Sequence, residues 1–151
     1  MRKFLAVLAV FALACNDDPI DPDLNDQDAI QIAYFAELIE TEPWTNAAAY
    51  CVSTGTWENK VDPSAEVLSE LRLLFGKIQP ASLCQSNLQG STYNGELARS
   101  YHIDTITVTG QTAIVEGYYR QHALDAGGYR AQLQKQGNLW VVLTFEMTWV
   151  A

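Results

Sequence analysis

The chain has 151 residues, with 9 Lys+Arg against 18 Asp+Glu and a formal net charge of -9. Hydrophobic residues make up 48%, enough for one ordinary core, and the length excludes a large multi-domain enzyme. An acidic chain offers no basic surface to replace phosphate counterions, which argues against nucleic acid as a partner. Three cysteines are too few for a disulfide-dense knot.

The N-terminus reads as an address. Met1-Arg2-Lys3 precedes eleven apolar residues over 4–14, and Cys15 follows. A basic pair before an apolar run too short to span a bilayer is a secretory signal. With Ala12 and Ala14 ahead of the cysteine, the segment resembles a bacterial lipoprotein signal, although Ala12 stands where that signal usually has Leu. The resemblance implies that residues 1–14 are removed, that Cys15 is lipidated, and that the chain is anchored to a membrane of the bacterial cell envelope. An ordinary signal peptide cleaved near Ala14 is the alternative. Residues 15–27 then form an acidic tether, since this stretch holds too little apolar surface to offset its ordering entropy. Nine of the acids lie between Asp17 and Glu42, and the remainder, with nine acids and seven bases, is nearly neutral. The spacing Asp21-x-Asp23-x-Asn25 hints at a calcium loop. Its sixth position is Asp26 rather than Gly and its twelfth is Ile32 rather than Glu, so neither a metal nor a cofactor is expected.

A single domain is expected over 28–151. Asp28 can cap a helix whose apolar positions are Ile32, Phe35, Ala36, Leu38 and Ile39, ending before Pro43. A short strand is expected over 47–53 and a turn over 54–56. A second helix begins at 63–64, with Asp62 as cap and Pro63 in its first turn. Its apolar face is Ala65, Leu68, Leu71, Leu74 and Phe75, and Gly76 marks its end. Residues 79–96 read as irregular and polar. Beyond them the period changes to two, predicting strands over 101–108, 112–122, 129–136 and 139–150, with turns at Gly110, 125–128 and Gly137-Asn138. Amphipathic helices and a sheet with one apolar face must bury those faces against each other. The expected class is α+β: two helices on a curved, mostly antiparallel, cone-like sheet, with one short strand between the helices and four C-terminal strands.

Cys51 and Cys84 would pair in an oxidising compartment, closing a loop of 33 residues worth about 3–4 kcal/mol. Buried free thiols, or a redox or metal pair, are the alternatives. The absence of a CxxC spacing argues against redox exchange, and His102 and His122 alone make a poor zinc set.

The run Thr112-Ala113-Ile114-Val115-Glu116-Gly117 and the run from Tyr129 through Trp140-Val141-Val142 resemble the closing strands of a cone-shaped α+β superfamily. It is named after nuclear transport factor 2 and includes ketosteroid-isomerase-like proteins. The resemblance implies a cone with a site at its open end. Its members serve as isomerases, hydratases, binding domains or interaction surfaces, so the fold alone implies no activity. An isomerase site in such a cone needs a carboxylate base and a hydroxyl donor in an apolar cavity, where burial raises the carboxyl pKa. Asp104 with Tyr118 or Tyr101 is the pair that fits, with His122 a further titratable candidate. The commoner fate of strand-borne charges is the solvent face, with cross-strand pairs such as Glu116 and Arg130. Trp57 sits in a polar loop, where an exposed ring is a contact candidate, and Tyr101 and His102 are further binding candidates.

The expected function is a non-catalytic module that binds a small apolar ligand or another envelope protein. A small isomerase or lyase using Asp104 is the alternative, and a homodimer through the outer sheet face is a third reading. A filled cone with an exposed aromatic patch favours the module. A buried Asp104 beside a tyrosine hydroxyl in an open cavity favours the enzyme.

Overall fold

The computed structural model describes residues 25–151, Leu88 apart. The expected signal segment 1–14, the lipidation candidate Cys15 and nearly all of the expected tether lie outside the described residues. No helix among the described residues is long and apolar enough to cross a membrane.

Helix α1 spans Asp26–Thr41. Its cap is Asn25 rather than Asp28: the Asn25 Oδ1 accepts from the Asp28 backbone N–H (2.9 Å), and its Nδ2 donates back to the Asp28 carboxylate (3.1 Å). This reciprocal pair satisfies two polar groups at once, and Asp26 and Asp28 place negative charge where the helix dipole is positive. The helix buries Ile30, Tyr34, Phe35, Leu38 and Ile39 against the sheet and the second helix. It ends at Glu42, whose N–H reaches the Leu38 carbonyl oxygen, just before Pro43.

Helix α2 spans Ala65–Phe75 and is capped by Ser64, not Asp62; the Ser64 hydroxyl accepts from the Val67 N–H (3.2 Å). The Asp62 carboxylate accepts instead from the Ser82 N–H. Gly76 closes the helix at a φ of 73°, a left-handed conformation that suits glycine. The buried face is Val67, Leu68 and Leu71, whereas Leu74 is exposed. Ala65, also expected on that face, is exposed in the first turn, and Phe75 is only partly buried.

The strands are β1 (Tyr50–Gly55), β2 (Lys60–Val61), β3 (Ile78–Pro80), β4 (Gln85–Asn87), β5 (Gly90–Tyr93), β6 (Glu96–Thr109), β7 (Thr112–His122), β8 (Asp125–Gln136) and β9 (Leu139–Val150). They form an open sheet in the order β2-β1-β6-β7-β8-β9, with β3 beside β1 and the β4–β5 hairpin beside β6. The pairings β1–β3 and β1–β6 are parallel and the others antiparallel. The class is α+β, with two helices on a mostly antiparallel open sheet.

Three details of the strands also differ from the sequence reading. Two strands lie between the helices instead of one. Residues 79–96, expected as irregular, hold most of β3, all of β4 and β5 and a short 3-10 turn; pairings of three or four residues leave no period to read. The third difference is that 125–128 is not a turn. The hairpin turns at Ala123-Leu124, and Gly127 and Gly128 lie inside β8. A Cβ on Gly127 would meet the Tyr119 ring on the core face, and one on Gly128 would collide with the Trp149 ring on the outer face. The two glycines make room for aromatic rings on opposite faces, which is why a turn-like sequence sits in a strand.

The core lies between the helices and one face of the sheet, where Tyr50, Val52, Tyr101, Ile103, Val115, Ala131, Leu133 and Trp140 meet the helices. On the opposite face Cys51 of β1 bonds to Cys84, with 6.3 Å between the Cα atoms, over a small cluster of Ala49, Ala98 and Tyr93. The bond closes 33 residues of chain around α2. Reduction, or the double substitution Cys51→Ala/Cys84→Ala, is expected to lower unfolding free energy by about 3 kcal/mol, measured by urea denaturation of the full chain with and without reductant.

Candidate functional site

The interior expected to hold a site is occupied by side chains. Tyr34, Phe35 and Leu38 from α1 are fully buried against Tyr101 and Ile103 of β6. The Tyr34 ring crosses Gly117, where any Cβ would meet it, and its hydroxyl donates to the Tyr129 carbonyl oxygen (2.9 Å). Tyr101 belongs to this core, and its hydroxyl donates to the Glu42 carbonyl oxygen (2.8 Å).

The other candidates stand on the outer face. A bulge at Asp104 interrupts the β6–β7 register, so that Ile103 pairs with Gly117 and Thr105 with Glu116. Strict alternation would put His102, Asp104 and Ile106 on one face. The extra residue instead sends Ile106 to the core, while His102 and Tyr118, paired across β6 and β7, face outward. Asp104 is 41% exposed, with its Oδ1 3.4 Å from His102 Nε2. Burial and the neighbouring Glu116 push its carboxyl above the usual range, with Lys60 acting the other way. His122 sits at the β7–β8 turn, where its Nδ1 accepts the Leu124 N–H (3.2 Å). Glu116 and Arg130 pair across strands at 3.8 Å, both half-exposed, a contact worth well under about 1 kcal/mol.

Ser53, His102 and Asp104 fall in the order of a hydrolytic triad, with 2.7 Å between Ser53 Oγ and His102 Nδ1. The arrangement is a lock, not a nucleophile. Ser53 is 2% exposed and His102 is wholly buried, so no substrate carbonyl reaches the hydroxyl. Burial pushes the imidazole down to about 4, so the ring is neutral near pH 7. Its Nε2–H donates to the Gly55 carbonyl oxygen (2.8 Å), leaving Nδ1 to accept from Ser53. The ring thereby ties β6 to the end of β1.

The outer face also carries an open groove of about 410 Å³, lined by Trp57, Tyr118, Arg120, Ala123, Ala126, Trp149 and Ala151. Trp57 comes from the loop between β1 and β2 and is 56% exposed; Trp149 comes from β9 and is 47% exposed. Both rings flank Tyr118, at 6.0 and 6.4 Å between centroids, and Tyr118 itself packs at a 44° tilt against His102 at 4.9 Å. Tyr118 is only 6% exposed, and its hydroxyl has no hydrogen-bond partner among the described residues. Lys60 Nζ lies 4.6 Å and the Arg120 guanidinium 5.5 Å from the Trp57 ring. Trp57 was legible as a tryptophan in a polar loop. Lys60, Arg120 and Gly128 join it only through strand pairing, which no local motif announces. Among the described residues no group of three or more His, Cys, Asp or Glu is placed to hold a metal ion.

The neutral His102 generates a pH dependence. Its folded value of about 4 lies below the ordinary 6.5, so the unfolded chain takes up this proton first as pH falls. The stability it confers is complete above pH 6.5 and is lost between 6.5 and 4. Urea unfolding at pH 7 and pH 4.5 is expected to differ by about 2–3 kcal/mol more for the native chain than for His102→Gln. The chain matches no family model, no curated protein and no solved structure.

Proposed function

We propose that this chain is a lipid-anchored bacterial envelope protein whose cone-like α+β domain is a non-catalytic binding module, with the outer aromatic groove as its ligand site. The observation that carries the reading is the pair of half-exposed tryptophans, Trp57 and Trp149, flanking a buried Tyr118. Large rings left in water beside a concave surface are costly unless something covers them, and such rings dominate the energetics of recognition. Gly128 leaves room for the Trp149 ring to lie against the sheet, where any larger residue would displace it.

The anchoring half of the proposal rests on the segment Met1–Cys15 and on the Cys51–Cys84 disulfide, which suits an oxidising compartment. An isomerase reading draws less support. Its carboxylate, Asp104, stands partly in solvent on the outer face instead of in an apolar interior.

Two measurements test the halves separately. Intact mass of the chain from its native membrane is expected to equal residues 15–151 with a lipidated N-terminus, and Cys15→Ser is expected to abolish the lipid. In the full chain, titration with benzyl alcohol is expected to shift the indole N–H resonances of Trp57 and Trp149 and to leave Trp44 and Trp140 in place. Trp57→Ala should weaken that binding about tenfold or more. Resonances that stay still throughout the titration would remove the groove as the site.

A further inference from the structure

Arg120 lines the groove and Lys60 stands beside its Trp57 and Tyr118 rings, a charge feature that an apolar ligand alone leaves unexplained. Lys60 and Arg120 come from β2 and β7 and converge on the Trp57 ring in a chain whose formal charge is -9. Among the described residues, neither cation has a carboxylate within 4.0 Å. Arg120 makes one long hydrogen bond, to the Asn87 carbonyl oxygen at 3.4 Å, which leaves the rest of its donor fork unused. Elsewhere Arg99 meets Glu42 and Asp125, Lys135 meets Asp26 and Arg130 meets Glu116, while Arg72 and Lys77 donate to backbone carbonyl oxygens at 2.8 to 3.2 Å. Two like charges brought together without a counter-ion raise the local positive potential. The Lys60 ammonium is held below its usual range, first by partial burial and then by Arg120, and the attraction of Asp104 is the smallest of the three influences. Asp104 attracts Lys60 from beyond ion-pair distance, and neither cation is directly paired among the described residues. Beside them stands the unpartnered Tyr118 hydroxyl, a neutral donor whose proton burial holds on firmly.

Resting on the groove reading above, we propose that the ligand is an organic anion: a carboxylate or phosphate carried on a flat ring, with the ring stacked against Trp57 and Trp149 and the charged group held between Lys60 and Arg120. Neither part suffices alone. Lys60 is exposed, so a free inorganic anion would gain little over its hydration in water. A neutral ring would leave both cations without a directly paired anion. A ring with an attached anion satisfies both, and the planar fork of Arg120 suits two oxygens on one carbon or phosphorus.

The experiment compares benzoate, phenyl phosphate, benzyl alcohol, acetate and inorganic phosphate as ligands of the full chain, read by the Trp57 and Trp149 indole resonances at low salt. Benzoate or phenyl phosphate is expected to bind about tenfold more tightly than benzyl alcohol, and whichever of the two is preferred names the charged group. Arg120→Gln and Lys60→Gln should each weaken benzoate or phenyl phosphate about tenfold and weaken benzyl alcohol by much less. Equal affinities for benzoate, phenyl phosphate and benzyl alcohol, insensitive to both substitutions, would overturn the anion and leave the groove standing. Acetate or inorganic phosphate binding as tightly as the ring-bearing anions would overturn the stacked ring. Silence from every probe would remove the groove reading and this inference together.

Discussion

The Arg99 guanidinium is buried, and a buried cation is tolerated only where the chain brings partners to it. Here they come from three places. Glu42 at the end of α1 lies 3.8 Å away, Asp125 at the start of β8 lies 3.3 Å away, and the Tyr119 ring of β7 stacks at 4.2 Å. Glu42 is held in turn, because the Tyr129 hydroxyl donates to its carboxylate and the Tyr101 hydroxyl to its carbonyl oxygen. No basic residue lies in the last turn of α1, so Arg99 supplies from the sheet the positive charge that the end of the helix lacks. Breaking a pair of this kind by removing one member costs about 3–5 kcal/mol, since the other charge is left buried. Arg99 thus joins the end of α1 to β7 and β8, and farther along the same helix the Tyr34 ring lies across Gly117.

A closed interior sends the recognition chemistry to the opposite face. The sheet supports rings on both sides by omitting side chains in register: Gly117 and Gly127 admit Tyr34 and Tyr119 to the core, and Gly128 admits Trp149 to the groove. Both sets depend on the same β7–β8 pairing, in which Tyr118 stands opposite Gly128 and Tyr119 opposite Gly127. Stability and binding surface are therefore built from one register, and a slip of one residue would exchange the two faces.

That dependence explains what the sequence could and could not show. The strands over 112–122 and 139–150 were legible from their content of Val, Ile, Thr, Tyr and Trp and from the turn glycines, Gly110 and Gly137, that precede them. The end of α2 was legible from Gly76, and the Cys51–Cys84 bond from cysteine counting. The extra residue at Asp104 was not, since a bulge leaves no mark on local composition and yet reverses which face every later residue occupies. Asn25 lost the cap to Asp28 in the sequence reading because both residue types cap well, and only the reciprocal side-chain contact decides between them. Ser53 attracted no attention because its partner, His102, is 49 residues away.

Strand β9 ends the sheet with one side unpaired, and among its twelve residues Glu146 alone is charged. A strand of that composition is a template on which further chains can stack. Its register against β8 slips twice, once between Gln132 and Leu133 and again between Gly128 and Tyr129, so that Leu143 and Thr148 stand without a partner. Each slip bends the strand and breaks the even row of donors and acceptors that an incoming chain would need. The border of the molecule can therefore stay apolar enough to carry Trp149 into the groove while denying neighbouring copies the straight ladder from which fibrils grow.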